Sequence, residues 1–317
     1  MAALTLITSV LNGMPYLDAM LSSVPPSPQT EHLAIDAGST DGTLERLRKR
    51  DGLKLIERPG LPLYAAWNEG VREATSPWVA FLNADDELPQ GALDAMLQAT
   101  AGADRMDVIC GEAEAISADR GVDQKAGRYV GGNTTDLSLG LLAFGAPTIN
   151  AKLFRREFIL QANGFDESFT FAADREFLLR LAIGHPRPKL KPISETLYRY
   201  RIHPGSSTLQ QTTARRLEIA QEHRRTARRL AAWPDLDPAT RTLLRSWLAH
   251  ETAVMAVYGL ASGRFGGVRL AVSALGRLLL SGPRVALDLA RAAQIRRRLR
   301  SDHRAANAPT TPTELEE

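Results

Sequence analysis

One cysteine, Cys110, is all that the 317-residue chain contains. That excludes an internal disulfide and a metal site built from several thiolates, and it fits a reducing compartment. A lone cysteine in an apolar strand reads as a small buried hydrophobe. Long apolar runs are missing too. No stretch reaches the roughly 18 residues that a membrane-spanning helix needs. The opening MAALTLITSVLNG has no basic leader and a short apolar run, so it reads as a first strand and not as a signal peptide. Lysine is absent beyond residue 210: residues 211–317 hold 18 Arg and 10 acids, a balance of +8. Residues 1–210 hold 21 basic and 26 acidic residues, a balance of −5, and the two add to the chain's net +3. The split predicts two units with different partners: residues 1–210, a basic helical region over 211–303, and a polar, proline-containing tail over 304–317 expected to be disordered. No recognition motif and no interleaved aromatics accompany the arginines, so no nucleic acid is expected as a partner.

What is present in the first hundred residues is alternation. LTLITSV (4–10), HLAIDAG (32–38), LKLIERP (53–59) and WVAFLNA (78–84) read as strands, and helical patterns follow each of them. Such a chain predicts an α/β fold with a mainly parallel sheet and right-handed crossovers. Ligands of these sheets bind outside the carboxyl ends of the strands. Two loops fall there, DAGSTDGT (36–43) and NADDEL (83–88). Beyond residue 105 the pattern is mixed, with strands expected at 107–117 and within 190–203, a strand running into a helix over 149–165, and a helix at 172–184. From 211 onward the chain reads as helices, with a break at Gly282-Pro283.

The NADDEL loop crowds Asp85, Asp86 and Glu87 onto the tip of an apolar strand. Capping of the helix that follows explains one acid well and three poorly. A hard divalent cation explains the crowding better, because it takes carboxylate oxygens and completes its shell with substrate phosphates. In the other loop, Gly38 and Gly42 allow tight turns, and Ser39, Thr40 and Asp41 suit a helix start. Asp36 stands apart at the strand end, where an acid can accept hydrogen bonds from a nucleoside.

Three ordered stretches, IDAGSTDGT (35–43), LYAAWNEGVREATSPWVAFLNADDEL (63–88) and GFDESFTFAADREFLLRL (164–181), resemble the nucleotide-diphospho-sugar glycosyltransferases of family 2. The resemblance covers roughly residues 3–205 and implies the GT-A fold: a doubly wound, mixed, mainly parallel sheet, here with a C-terminal helical extension. It also implies a nucleotide-diphosphate sugar as donor and Mg or Mn as cofactor. By the same resemblance Thr8, Asn12, Asp36, Asn68 and Asp85 contact the donor, and Asp86 binds the metal with His203 of RIHPGSS beside it. Asp174 is the base that takes the acceptor hydroxyl proton. Two positions depart from the family pattern: Ala37 follows Asp36 where many members carry a second acid, and Ala173 precedes Asp174. The Gln-x-x-Arg-Trp motif of processive synthases is missing, which points to transfer of a single sugar.

In 264–300 the arginines 269, 277, 284 and 291 recur at spacings of eight, seven and seven before RRRLR (296–300). A basic amphipathic surface of this kind suits an anionic membrane face, and equally a helical subdomain that packs on the catalytic domain. The expected reaction is therefore metal-dependent, inverting transfer to a glycan acceptor, lipid-linked on the membrane reading, in cell-surface polysaccharide synthesis. The expected location is cytoplasmic, peripheral on the cytoplasmic face of the membrane. A nucleotidyltransferase of related fold and a non-catalytic nucleotide-sugar-binding scaffold are the rival readings.

Overall fold

The computed structural model describes residues 2–117, 124–128, 137–145, 147–184, 187–203, 205, 212–263, 265–280 and 284–306. One eight-stranded sheet organises the first two hundred residues. β1 (Leu4–Val10), β2 (Thr30–Asp36), β3 (Leu53–Glu57) and β4 (Trp78–Phe81) are mutually parallel in the order β3-β2-β1-β4. α1 (Leu17–Ser23), α2 (Thr43–Arg48) and α3 (Leu63–Glu73) make the crossovers, and α4 (Ala92–Thr100) follows β4.

Beyond β4 the direction changes, as the mixed pattern after residue 105 implies. β5 (Val108–Ser117), β6 (Gln124–Arg128), β7 (Lys152–Arg155) and β8 (Leu190–Ile202) complete the sheet. β7 runs antiparallel to both β4 and β5, β6 antiparallel to β5, and β8 parallel to β5. Between them lie α5 (Leu139–Phe144), α6 (Arg156–Gln161) and α7 (Ala173–Ile183). The expected run over 149–165 is thus a four-residue strand and a six-residue helix. α5 and β6 carry too little periodicity to be seen in the sequence.

Strand alternation sends neighbouring side chains to two cores. On one face Ile7, Leu33, Ile35, Val79 and Phe81 meet Trp67, Phe165 and Phe177. On the other Leu4, Leu6, Val10 and Ala80 meet Leu17, Leu21, Met96 and Tyr198. α3 lies unusually close to β1: a Cβ added at Gly70 would stand 2.4 Å from Ile7 Cγ2, so only glycine fits.

The arginine-rich region forms α8 (Thr213–Ala231), α9 (Pro238–Ala261), α10 (Phe265–Leu280) and α11 (Arg284–Ala306). α9 starts with Asp237 accepting from the Ala239 and Thr240 N–H groups and Pro238 in the first turn. Ala227, Leu230, Leu244 and Trp247 join the same core as Phe154 and Phe177, so α8 and α9 pack on the sheet domain. α10 and α11 pack in turn on α9. Among the described residues no helix is long and apolar enough to cross a membrane. The Gly282-Pro283 break, Pro204, Ser206 and Ser207 of the RIHPGSS stretch, and residues 307–317 of the tail lie outside the described residues.

Candidate active site

The carboxyl ends of β1, β2 and β4 form one edge, and two loops are stapled there. Asn12, at φ 55°, donates its N–H to Ser39 Oγ at 2.9 Å and accepts from the Thr40 N–H at 2.9 Å. The Gly13 N–H donates to Thr43 Oγ1 at 2.8 Å and that of Met14 to Asp41 Oδ2 at 3.0 Å. Asn12 is therefore a clamp on the loop after β2. Asp36 is buried, and its Oδ1 accepts from the Gly38 and Ser39 N–H groups, both at 2.9 Å. Its Oδ2 is buried without a hydrogen-bond partner. A buried acceptor left unmatched is costly, and a donor group from a bound nucleoside would complete it.

The acid loop after β4 is met by β8. Asp86 is only 1% exposed, and both of its oxygens are occupied. Oδ2 accepts from Tyr198 Oη at 2.5 Å and Asn83 Nδ2 at 3.0 Å, and Oδ1 from the Arg201 N–H at 2.7 Å. Burial, with the nearby charge of Asp85, raises its carboxyl to about 7, while those hydrogen bonds pull the other way. Asp85 is the opposite case: its side chain is 38% exposed and Oδ2 lies 3.0 Å from His203 Nε2. The His203 ring in turn packs on Tyr16, with centroids 4.5 Å apart. Glu87 pairs with Arg199 at 3.3 Å and Arg201 at 3.0 Å, and its backbone bridges to that of Arg199.

The two aspartates have contrasting surroundings. Asp86, the expected metal ligand, is enclosed and ties the loop to β8 through Tyr198 and the Arg201 N–H. Asp85, expected to touch ribose or sugar, faces outward beside His203. Glu87, five residues before α4, is an ion-pair partner of β8. Asp86 and Glu87 thus meet β8, with Arg201 common to both, and Asp85 meets His203 just beyond that strand. Tyr198, Arg199 and Arg201 were not legible as site residues, because the alternating LYRYRI of β8 gives no hint of which strand it faces.

Two further residues expected at the donor, Thr8 and Asn68, have partners within the fold. Thr8 is fully buried, with its hydroxyl 3.1 Å from His32 Nε2, so it offers no free side-chain group at the edge. Asn68 is buried, and its amide bridges α3 to the segment before α7. Nδ2 donates to Phe165 O at 2.8 Å and Glu167 Oε1 at 2.9 Å, and Oδ1 accepts from the Phe165 N–H at 2.8 Å. Both amide hydrogens are committed to the fold and none is left for a sugar nucleotide.

Asp174 sits at the second residue of α7, in a recess closed by Tyr64 of α3, whose hydroxyl lies 3.4 Å from Oδ1. Loss of hydration raises the Asp174 carboxyl above the usual range, against the pull of the Arg175 N–H, the charges of Arg175 and His223, and Tyr64. A carboxyl raised in this way is a better proton acceptor than an exposed one. Tyr64 follows the loop that leaves β3, and that loop is tied to β2 by the Arg58 N–H on Asp36 O and the Gly60 N–H on Ala37 O, each at 2.8 Å. Asp36, Asp85 and Asp174 are therefore all carried on elements that meet at the carboxyl edge.

Residues 5–180, more than half of the chain, match the glycosyl transferase family 2 profile. The chain belongs to glycosyl transferase family 2. It is accordingly a glycosyltransferase that takes sugar from a nucleotide-sugar donor, and this sets the nucleotidyltransferase reading aside. Solved structures agree on the fold. S. aureus TarS residues 1–349 in complex with UDP-GlcNAc superimposes with a TM-score of 0.64 at 17% identity, over 97% of this chain and 93% of that one. The mannosyltransferase PcManGT from Pyrobaculum calidifontis, in complex with GDP-Man and Mn2+, gives 0.55 at 16% identity, over 96% of this chain and 83% of that one. At such identities the likeness speaks for the GT-A fold alone. No curated protein matches the sequence.

Two donors for a cation, Asp85 Oδ2 and His203 Nε2, come together at the edge. No group of three or more His, Cys, Asp or Glu forms a metal site among the described residues. A carboxylate oxygen and an imidazole nitrogen fit a divalent cation whose remaining ligands come from a diphosphate.

Proposed function

We propose that this chain is a metal-dependent, inverting glycosyltransferase that moves one sugar from a nucleotide-diphosphate sugar to a glycan acceptor, lipid-linked and presented at a membrane surface, in cell-surface polysaccharide synthesis. The observation that carries the reading is the pair of contrasting carboxylates at one sheet edge: outward-facing Asp85 beside His203, and Asp174 in its recess under Tyr64.

Asp36, through its unmatched oxygen, accepts a hydrogen bond from the nucleoside. Asp85 and His203 hold the cation, which supplies positive charge to the diphosphate leaving group. Asp174 takes the proton of the acceptor hydroxyl as that oxygen bonds to the anomeric carbon. The bond from that carbon to the diphosphate oxygen breaks, and its electron pair leaves with the nucleoside diphosphate. A single displacement of this kind inverts the anomeric centre.

Membrane contact is supported by α10. Val268, Val272 and Leu275 are exposed at helical spacing, next to exposed Arg269, and exposed Leu287 lies between Arg284 and Arg291 of α11. Apolar side chains bordered by arginines suit an anionic lipid surface.

The test is nucleoside diphosphate release from a panel of UDP- and GDP-sugars, with and without EDTA, in wild type and Asp174→Asn. Turnover that needs the cation and is lost in Asp174→Asn is expected. Undiminished turnover in EDTA would remove the cation, and full activity of Asp174→Asn would remove the base. Binding of a nucleotide sugar without turnover, with or without an acceptor, would favour a scaffold.

A further inference from the structure

α7 begins without a cap of its own. Its N-cap residue, Ala172, has no side-chain acceptor, and Ala173 follows. The amides that lead into the helix are met instead by one carboxylate from α8, fifty residues on. Glu222 Oε1 accepts from the Thr170 N–H at 2.7 Å, and Oε2 from the Phe171 N–H at 3.0 Å and the Ala172 N–H at 2.9 Å. A negative group here also suits the positive end of α7.

Glu222 does not act alone. The Arg225 guanidinium lies 3.7 Å from the Phe169 ring centroid and donates to Ser168 Oγ at 3.1 Å. Arg229 donates to Asp166 Oδ2 at 2.9 Å and to Glu176 Oε1 at 2.5 Å, and Arg215 lies over Phe171 at 4.0 Å. Positions 215, 222, 225 and 229 share one face of α8. That face runs along residues 166–176, the segment that ends by presenting Asp174.

The rest of α7 is anchored independently. Phe177, Leu178 and Leu179 are fully buried, and Arg180 donates to the carbonyls of Ala162 and Gly164. Loss of the Glu222 contacts therefore loosens the first turn of α7 and leaves its body in place. The first turn is where Asp174 sits.

We propose that Glu222 is a positioning residue for the transfer reaction: its carboxylate accepts three backbone hydrogen bonds and so fixes the segment that aims Asp174 at the acceptor. The arginine-rich helical region thereby takes part in the active site from behind. The proposal rests on the reading of Asp174 as the base.

The test compares Glu222→Ala, Glu222→Gln, Asp174→Asn and Asp174→Asn/Glu222→Ala in the full chain. The readouts are nucleoside diphosphate release from the best nucleotide sugar of the panel, with water as acceptor, and amide hydrogen exchange of residues 168–176. Glu222→Ala is expected to lower kcat on the order of 10- to 100-fold, the scale of a misaimed reacting group, with the donor KM unchanged. Glu222→Gln, whose single oxygen can serve only one side of the clamp, falls between. Exchange at Thr170–Ala172 rises in both, and the double variant is no slower than Asp174→Asn alone. A wild-type kcat in Glu222→Ala, a loss of equal size in the Asp174→Asn background, or a change confined to donor KM would overturn the proposal. So would unchanged exchange in Glu222→Gln, a readout that serves even if Glu222→Ala does not fold or turnover is too slow to measure. Full activity of Asp174→Asn would instead remove the base reading, whereas an inactive Asp174→Asn with a wild-type Glu222→Ala removes only the clamp.

Discussion

Tyr198 donates its hydroxyl to Asp86 Oδ2 at 2.5 Å, across 112 residues of sequence and inside the second core. The same carboxylate accepts the Arg201 N–H, so a single acid joins the loop after β4 to the last strand of the sheet. Its neighbour Asp85 is left facing outward. Two adjacent acids thus differ in their surroundings, one holding the loop to β8 and one facing outward beside His203.

The two should separate in mutation. Tyr198→Phe leaves a buried oxygen of Asp86 short of a donor and is expected to cost about 1–3 kcal/mol of stability, with Mn binding in the presence of UDP retained. Asp85→Asn should melt like the wild type and lose most of that binding. Denaturant titration and calorimetry on both variants check this; loss of Mn binding in Tyr198→Phe but not in Asp85→Asn would restore Asp86 as the ligand.

Tyr64→Phe should move the pH profile of transfer. The Tyr64 hydroxyl favours the charged form of Asp174, so its removal raises a carboxyl that burial has already raised. A base works only when ionised, so the acid limb of kcat/KM is expected to shift to higher pH. Arg175 and His223 remain to favour the carboxylate, which keeps the shift below a full loss of activity.

Gly164→Ala should destabilise the segment before α7. Gly164 has φ +57°, and a Cβ there would stand 2.3 Å from Asn68 Oδ1. Backbone strain of this type costs about 1–3 kcal/mol, and the clash would break the Asn68 bridge to Phe165 besides. Equilibrium unfolding should show the loss, and Asn68→Ala should show one of similar size.

His32 should make the chain sensitive to acid. Burial, and then the charge of Arg50, lower its imidazole from 6.5 to about 4. The unfolded chain therefore binds more protons than the folded one between those values. The His32 contribution should be fully present above pH 6.5 and be lost as pH drops toward 4, by up to about 3 kcal/mol, while Asp86, raised to about 7, contributes the opposite slope in wild type and variant alike. His32→Gln should lessen the loss toward pH 4, as read by unfolding at a series of pH values.

Val272 and Leu275 test the membrane contact. Their side chains are 62% and 42% exposed, so Val272→Asp/Leu275→Asp should leave folding alone. Flotation with phosphatidylglycerol vesicles is expected for the wild type, to be weaker for the double variant, and to be weak for both with phosphatidylcholine alone. Equal flotation of wild type and variant would remove α10 as the contact.

The sequence by itself determined the α/β layering, the parallel β1–β4 half and the family. Each of those rests on local patterns, namely period-2 apolar strands, amphipathic helices and loops at strand ends, which survive in the order of residues. It also put Asp36 at the end of one strand and Asp85 in the loop after another. Tertiary structure decided the rest. Which of Asp85 and Asp86 faces outward depended on where Tyr198 and Arg201 arrive, and β8 reaches the acid loop only through a sheet whose second half mixes directions. Thr8 and Asn68 looked available for the same reason they are not: a polar side chain shows its chemistry in the sequence but not the partner that uses it up. Asp174 could be named from the resemblance, yet the carboxylate that caps its helix comes from α8, because a hydrogen bond depends on distance in space, and fifty residues of chain separate its two ends.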